Sequence, residues 1–285
     1  MITSEFNYEA PRSVEEALNL LSSSQDAKVL AGGHSLLPAM KLRLTSPALL
    51  VDIGRIAGLN YIRETPNGIA IGATTTHSTI ADSSLLLDRS PLLPQAARNI
   101  GDVQVRNRGT IGGSIAHADP AADYPAALVA LDAQIVATSR SGQRTIKATE
   151  FFTGLFSTAL NDGELITEIR VSPTTGSGTA YCKFHHPASG FAVVGVAAVV
   201  RANGNRIESA SIGITGVADH AYRATAVENA LRGKSLNDIS SACEHAADGI
   251  DALSDNFASA EYRQHLASVF AERAIREATA PKKKR

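Results

Sequence analysis

Two short segments, far apart in the chain, combine a glycine pair with flanking hydroxyl side chains. The first is Ala31-Gly32-Gly33-His34-Ser35, and the second is Thr110-Ile111-Gly112-Gly113-Ser114. A glycine pair leaves backbone N–H groups accessible and lets the chain curve around an anion, and the hydroxyls add further donors. Each segment alone is also typical of an ordinary tight turn. Together they favour a long dinucleotide held along its pyrophosphate over a mononucleotide, which needs only one such turn.

A third candidate is Asp123, which follows the second glycine segment at the expected start of a helix. A carboxylate at this position can accept hydrogen bonds from the ribose or ribityl hydroxyls of a dinucleotide. It is equally typical of an acidic residue that stabilises a helix N-terminus, here next to Pro125. The sequence alone leaves both interpretations open.

The histidines and cysteines do not show the spacing of a metal site. The eight histidines include the adjacent His185 and His186, and the others are scattered along the chain. Cys182 and Cys243 are the only cysteines, whereas a two-iron cluster needs four ligands. No metal is therefore predicted, and any iron-sulfur chemistry is expected to come from a partner chain.

The overall charge excludes a general affinity for nucleic acid or for anionic membranes. Lys plus Arg number 27 and Asp plus Glu number 28, so no large field of one sign exists. The basic end of the chain, Lys282 to Arg285, is interpreted as a solvated terminus rather than as a nucleic-acid patch. The first thirteen residues lack the apolar core of a signal peptide, and the longest apolar run, 191–200, covers about half of a membrane span. A cytoplasmic protein is expected.

The elements around the candidate residues form an α+β pattern without a regular alternation of strands and helices. Strands are predicted at 28–31, just before the first glycine segment, and at 48–53. The Asn67-Gly68 step predicts a hairpin. The best linker is the stretch from Pro173 to Gly178, which is rich in turn-forming residues. It places a domain boundary near residue 175.

The part of the chain after this linker is predicted to be a small sheet followed by a helical bundle. Three strands are expected, at 180–184, 191–201 and 207–214, with the last two joined at Asn203-Gly204. Helical spacing of apolar residues predicts helices at 225–231, 236–250 and 259–278.

With both glycine segments considered, the chain resembles the FAD-binding medium subunit of the xanthine dehydrogenase and aerobic carbon monoxide dehydrogenase family. The resemblance rests on AGGHSLLPAMKLRL from Ala31 and RNRGTIGGSIAHADPAADYP from Arg106, and it extends from Phe6 to about Ala278. It implies an α+β fold with an FAD-binding domain over 1–175, related to the flavin fold of vanillyl-alcohol oxidase. Its subdomains would cover about 1–55 and 56–175. A domain of a three-stranded antiparallel sheet and a helical bundle would follow over 176–285.

The resemblance also implies which residues contact FAD. The two glycine segments would wrap the pyrophosphate, and Asp123 matches a carboxylate that the family carries after the second one. Ile100 and Ile166 match positions near the flavin, Lys183 matches a lysine near the cofactor, and Phe191 lies where carbon monoxide dehydrogenases have a tyrosine beside the ring. The complete implied set is Val29, Leu30, Ala31, Gly32, Gly33, His34, Ser35, Leu36, Ile100, Thr110, Ile111, Gly112, Gly113, Ser114, Asp123, Ile166, Lys183 and Phe191.

The function implied by the resemblance is electron transfer within a molybdenum hydroxylase. FAD would take electrons from iron-sulfur clusters on a small subunit, after a large molybdopterin subunit has oxidised the substrate, and would pass them to an external acceptor. The assembly would be a dimer of heterotrimers. Carbon monoxide, purines and aromatic N-heterocycles remain open as substrates, because the substrate would be chosen at the molybdenum centre on another chain. The segment His185 to Gly190 departs from the carbon monoxide dehydrogenase pattern, which argues against carbon monoxide. Quinone, NAD and oxygen remain open as acceptors.

Two other functions remain open at this point. The first is a self-contained flavin oxidase in which His34, directly after the glycine pair, bonds covalently to the flavin. The second is a nucleotide-binding module without redox activity. The short chain argues against the first, since the domain after residue 175 is small for a substrate pocket of its own.

Overall fold

A computed structural model describes residues 2–281 of the chain. The basic terminus, Lys282 to Arg285, lies outside the described residues, so its interpretation stays a prediction. The described part contains three hydrophobic cores, which belong to an amino-terminal unit (7–52), a middle unit (62–171) and a carboxy-terminal unit (178–279). None of the described helices has the length and apolar character needed to cross a bilayer.

The amino-terminal unit is a small parallel sheet with two helices. Its strands lie in the order β1-β3-β2. Ser13 caps the first helix, because its side chain accepts a hydrogen bond from the Glu16 amide. The elements are β1 (Asn7–Glu9), α1 (Val14–Ser23), β2 (Ala27–Leu30), α2 (Leu36–Lys41) and β3 (Leu49–Asp52). The first glycine segment therefore connects the carboxyl end of a parallel strand to a helix, which is the usual place for a ligand in open parallel sheets.

The middle unit is a five-stranded antiparallel sheet with seven short helices among its described residues. The strand order is β4-β5-β10-β6-β7, and a separate hairpin pairs β8 with β9. Its strands are β4 (Ile62–Thr65), β5 (Gly68–Gly72), β6 (Gln134–Ser139), β7 (Gly142–Lys147), β8 (Phe152–Gly154), β9 (Ser157–Thr158) and β10 (Leu165–Val171). Its helices are α3 (His77–Asp82), α4 (Ser84–Arg89), α5 (Leu92–Arg98), α6 (Val103–Arg108), α7 (Ile111–His117), α8 (Asp123–Ala130) and α9 (Ala148–Phe151).

The carboxy-terminal unit is an antiparallel sheet, β11-β12-β13-β14, covered by helices. The elements are β11 (Gly178–His185), β12 (Ala192–Asn203), β13 (Arg206–Thr215), β14 (Tyr222–Arg223), α10 (Thr225–Leu231), α11 (Ile239–Cys243) and α12 (Ala260–Thr279). The three expected strands are present, and the two-residue β14 adds a fourth at the edge. The single helix expected at 236–250 is wrong: a 3₁₀ turn precedes α11, and the amides of His245 and Ala246 then bond three residues back, which ends the α-helix.

Helix α8 joins the middle and carboxy-terminal units. All eight of its residues are buried, which explains why its sequence is apolar on every side. It packs so closely on β13 that a Cβ on Gly213 would lie 2.0 Å from the Ala126 carbonyl oxygen. The helix begins at Asp123, so this carboxylate lies where the two units meet.

Candidate cofactor-binding site

The two glycine segments, far apart in sequence, lie against each other in the fold. A Cβ added to Gly32 would lie 2.3 Å from the carbonyl oxygen of Arg108 and 2.7 Å from the Cα of Gly109. A Cβ on Gly113 would lie 3.6 Å from the Cβ of Ala31. Glycine at position 32 is thus required for the close approach of the two turns.

The first glycine turn offers a row of free backbone donors. Gly33 has a φ of 76°, in the left-handed region that glycine adopts without strain. The Nδ1 atom of His34 lies 3.0 Å from the Gly32 carbonyl oxygen. Among the described residues, no group accepts a hydrogen bond from the four successive amides of Gly33 to Leu36. Such a curved row of N–H groups is suited to an anion such as a pyrophosphate.

The second glycine turn uses its donors within the protein. Thr110 caps α7, and its Oγ1 accepts a hydrogen bond of 3.1 Å from the Gly113 amide. The Gly112 amide donates to the Ala73 carbonyl at 2.8 Å, and the amide before it donates to the Thr75 carbonyl at 3.0 Å. The first turn therefore supplies free donors, whereas the second supplies a tightly packed wall.

A buried histidine supports the second turn from below. The backbone N–H of His77 donates to the Gly109 carbonyl, and a Cβ on Gly109 would lie 2.5 Å from the His77 ring. The ring centroid lies 5.3 Å from that of Tyr124. Burial, with smaller contributions from the positive charges of His34 and Arg106, lowers the pKa of His77 to about 4. The histidine is therefore neutral at physiological pH. Its packing against the second turn was not predictable from sequence, because its partners are distant in the chain.

Asp123 forms a buried cluster with side chains of the carboxy-terminal unit. The Nζ of Lys183 lies 2.9 Å from its Oδ1 and 3.0 Å from its Oδ2, and the Tyr181 hydroxyl donates to Oδ1 at 2.6 Å. Lys183 also donates to the Asn99 carbonyl at 2.9 Å. The side chains of Asp123 and Lys183 are 5% and 1% exposed. Sequence reasoning singled out Asp123 and Lys183 but missed Tyr181, which alternation along β11 places on the same face as Lys183.

The cluster keeps the carboxylate charged despite its burial. Burial raises the pKa of Asp123 to about 6, and the Lys183 ammonium and the Tyr181 hydroxyl oppose this rise. A carboxyl group with this pKa is mostly ionised at pH 7. It can therefore still act as a hydrogen-bond acceptor for a cofactor.

Two apolar residues of the implied site lie close to the same boundary. Ile100 is partly buried and directly follows Asn99, whose carbonyl accepts from Lys183. Phe191 is 45% exposed, and the amide of the next residue donates to the Ala121 carbonyl at 3.1 Å. Ile100 and Phe191 are thus anchored to the segments that carry the buried cluster, one from each unit.

The remaining implied residues are distributed between the first turn and the core. Val29 and Leu30 are partly buried in β2, directly before the first glycine turn. The side chain of Ile111 is fully buried, and Ile166 in β10 is 3% exposed within the core of the middle unit. Ser114 is partly exposed on α7. The structure brings the two turns together, and it brings Ile100, Asp123, Lys183 and Phe191 close to one boundary.

Helix α7 connects the glycine turns with this boundary. It runs from the second turn to Ala118, which has a φ of 50°. The segment that follows is bonded to the carboxy-terminal unit, because the Gly216 amide and the Thr215 hydroxyl both donate to the Pro120 carbonyl. Seven helical residues span about 10 Å.

Comparison with known protein families identifies the chain. Residues 4–174 match the FAD binding domain in molybdopterin dehydrogenase, and residues 179–278 match the CO dehydrogenase flavoprotein C-terminal domain. The chain belongs to the FAD-binding subunits of the molybdenum hydroxylase family.

Relatives of this flavoprotein subunit match it over nearly its whole length. The carbon monoxide dehydrogenase medium chain of Hydrogenophaga pseudoflava is 42% identical over 98% of this chain and 99% of its own. The glyceraldehyde dehydrogenase medium chain of Sulfolobus acidocaldarius is 40% identical over 97% of this chain and 99% of its own. The solved structure of quinoline 2-oxidoreductase from Pseudomonas putida 86 superposes with a TM-score of 0.93 at 31% identity, covering 98% of both chains.

FAD is the cofactor of this flavoprotein subunit, and the geometry fits it. The free amides of Gly33 to Leu36 suit the pyrophosphate, and the ionised Asp123 suits a ribityl hydroxyl. Among the described residues, no three or more His, Cys, Asp or Glu side chains cluster in a way that could hold a metal ion.

Proposed function

We propose that this subunit relays electrons inside a molybdenum hydroxylase. When bound, FAD supplies a centre that accepts electrons one at a time and releases them in pairs. The observation that carries the proposal is the meeting of the two glycine turns beside a boundary that holds a buried, charged carboxylate. An FAD-binding electron carrier requires a site for the pyrophosphate and a nearby site for the flavin ring. The glycine turns would supply the first, and the boundary around Asp123 would supply the second.

The chain's own residues would bind and orient the cofactor. The amides of Gly33 to Leu36 would hold the pyrophosphate, with the second turn as a wall beside it. Asp123 would accept a hydrogen bond from a cofactor hydroxyl. Ile100 and Phe191 would exclude water from the two sides of the flavin ring. The other residues implied by the resemblance, among them Val29, Ile166 and Lys183, would complete the FAD-binding site. We assign FAD binding mainly to 1–175 and the closing of the ring site to 176–285.

The iron-sulfur and molybdenum centres would belong to partner subunits. The two cysteines, Cys182 and Cys243, are both free thiols, and burial raises the pKa of each to about 12. Thiols of this kind do not ionise at neutral pH and are poor cluster ligands. A small iron-sulfur subunit and a large molybdopterin subunit would complete the enzyme, arranged as a dimer of heterotrimers. Free thiols also suit a reducing cytoplasm.

The substrate of the complete enzyme would be selected outside this chain. Similar flavoprotein subunits belong to enzymes named for carbon monoxide, glyceraldehyde, nicotine and caffeine. Since subunits this similar belong to enzymes with such different substrates, we propose that this subunit does not determine which substrate the complete enzyme oxidises. The complete enzyme would be carbon monoxide dehydrogenase-like or a hydroxylase of purines and N-heterocycles.

The relay can be tested in the complex assembled from this chain and its partner subunits. FAD is removed, the clusters are reduced with stoichiometric dithionite, and quinone, NAD and oxygen are offered in turn. The expected result is that cluster reoxidation by one acceptor requires added FAD. Equal reoxidation without FAD would refute the relay.

Acid precipitation tests the covalent alternative at His34. We expect the flavin to stay in the supernatant, because the carboxy-terminal unit is small for the substrate pocket that a self-contained oxidase needs. The hydrogen bond of His34 Nδ1 to the Gly32 carbonyl leaves Nε2 as the ring nitrogen that a covalent flavin would use. Flavin in the protein pellet would support a covalent oxidase. A chain that takes up no flavin from added FAD would support a module without redox activity.

A further inference from the structure

Tyr181 reaches from the carboxy-terminal unit into the core of the middle unit. It is only 7% exposed and packs among the middle unit's buried residues, although it belongs to β11. Its hydroxyl lies 2.6 Å from Asp123 Oδ1. Gly195 on the neighbouring strand makes room for it, since a Cβ there would lie 2.4 Å from the hydroxyl oxygen. This tyrosine thus links the two units at the candidate site.

Both side chains that counteract the burial of Asp123 come from across the domain boundary. Tyr181 and Lys183 are two positions apart on β11, so they present the same face to Asp123. A carboxylate removed from water is costly unless charged or hydroxyl donors compensate it. Strand β11 therefore supplies both side chains that compensate the burial of Asp123, in addition to a backbone hydrogen bond at Asp123 itself.

The two donors have different roles. Lys183 is shared, because its ammonium group also donates to the Asn99 carbonyl. The Tyr181 hydroxyl has one proton, and its direct partner is Asp123. A phenol that donates to an ionised carboxylate forms a strong, directional bond. It fixes one carboxylate oxygen and leaves lone pairs of the group free for another donor.

We propose that Tyr181 is a positioning residue for FAD binding, because it holds Asp123 in the charged and oriented form that accepts a cofactor hydroxyl. The inference rests on the proposed role of Asp123. Without the phenol, the carboxyl group would take up a proton at higher pH and would lose acceptor capacity. Retention of FAD by the amino-terminal half thus depends on one hydroxyl of the carboxy-terminal unit.

The test compares the pH dependence of FAD binding in the full-length chain and in Tyr181→Phe. The dissociation constant for FAD is measured between pH 5 and pH 9 from flavin fluorescence. We expect the midpoint below which FAD is lost to rise by about one pH unit in the variant, as for the loss of a hydrogen bond to a charged group. The difference between the two dissociation constants for FAD should become smaller at pH 9, where the Asp123 carboxylate is ionised in both proteins. An unchanged midpoint would overturn the proposal.

Tyr61→Phe is a matched control. The Tyr61 hydroxyl also donates to a carboxylate oxygen, that of Glu168, at the same distance of 2.6 Å. Glu168 lies on β10 and Tyr61 directly precedes β4, and no hydrogen bond among the described residues joins either of them to Asp123. The control should therefore reproduce the profile of the unmodified chain, and an equal shift in both variants would show a general effect and would also overturn the proposal.

A second variant covers the case in which Tyr181→Phe does not fold. Gly195→Ala keeps the hydroxyl but pushes it away from its place, and it should move the midpoint in the same direction. An unshifted, folded Gly195→Ala protein would then count as the negative result. Failure of the unmodified chain to bind FAD would refute the proposed function, whereas normal FAD binding with unshifted variants would refute only the role of Tyr181.

Discussion

The two glycine turns have nearly the same sequence chemistry but different roles. In the first, the amides of Gly33 to Leu36 have no acceptor among the described residues, and Gly33 adopts a left-handed conformation. In the second, the amides that follow Thr110 are bonded to carbonyls and to the Thr110 side chain. A glycine pair with hydroxyls therefore does not define an anion site by itself. Tertiary contacts decide whether its donors are available.

The difference follows from what precedes each turn. The first turn leaves strand β2 at the end of a parallel sheet, where no carbonyl of the described residues accepts its amides. The second turn lies beside the chain that leaves β5, and the carbonyls of Ala73 and Thr75 accept its donors. The first turn is thus expected to matter for the cofactor, and the second for the fold that holds the cofactor in place.

The largest expected effect is that of Gly112→Val in the second turn. A Cβ at this position would lie 2.6 Å from the Ala73 carbonyl oxygen, so backbone must move. We expect the free energy of unfolding of the FAD-free protein to fall by about 3 kcal/mol or more, measured by urea denaturation. Gly58→Val is the control, since a Cβ there meets nothing within 4 Å. A variant that lost FAD while the apoprotein kept its stability would contradict the structural role of this turn.

A comparable effect is expected from acid, through His77 below the second turn. Its pKa is lowered from 6.5 to about 4 in the folded protein. The unfolded chain therefore binds a proton at this histidine below pH 6.5, whereas the folded chain does so only below about pH 4. Stability from this group is therefore present above pH 6.5 and is lost as the pH falls towards 4, by about 3 kcal/mol. Urea denaturation at pH 7 and pH 4 should show that the free energy of unfolding falls less between these pH values in His77→Gln than in the unmodified protein. Equal losses in both proteins would exclude this role.

A smaller effect on stability, but a selective one on the cofactor, is expected from Gly33→Ala in the first turn. Its φ of 76° costs an alanine about 1–2 kcal/mol, and a relaxed turn would no longer present its amides together. We expect the dissociation constant for FAD to rise roughly tenfold. Gly204→Ala also places an alanine at a positive φ, 57°, and should bind FAD normally. Its Cβ meets open space, whereas a Cβ on Gly33 would in addition lie 2.9 Å from the Leu37 side chain. Equal FAD binding by both variants would argue against the first turn as the pyrophosphate site.

Local features of this fold were predictable from sequence, and long-range ones were not. The Asn203-Gly204 step predicted the β12–β13 hairpin, and α10 was predicted over its observed range. Those features depend on neighbouring residues. The predictions could not include the bond from Tyr181 to Asp123, which spans 58 residues, or the place of His77 under Gly109, because no periodicity records which distant segments meet.

The ends of helices and very short edge strands were also not predictable from the sequence. The predicted helix at 236–250 ended early because i→i+3 bonds replaced the α-helical ones after Cys243. The strand β14 has two residues, too few for alternation to be recognised. The structure places the two glycine segments against each other. The sequence could not show that their amides differ in availability, since this depends on the carbonyls of Ala73 and Thr75.

The smallest effects should separate the two turns most cleanly, through one hydroxyl in each. The Ser35 side chain is exposed and caps no helix amide, so Ser35→Ala should leave apoprotein stability unchanged and weaken FAD binding by about 1 kcal/mol. The Thr110 hydroxyl caps α7, so Thr110→Ala should lower apoprotein stability by about 1 kcal/mol, with little further change in FAD affinity at low temperature. Urea denaturation and FAD titration of both variants measure the four quantities. A reversed pattern would mean that the second turn, and not the first, donates to the pyrophosphate.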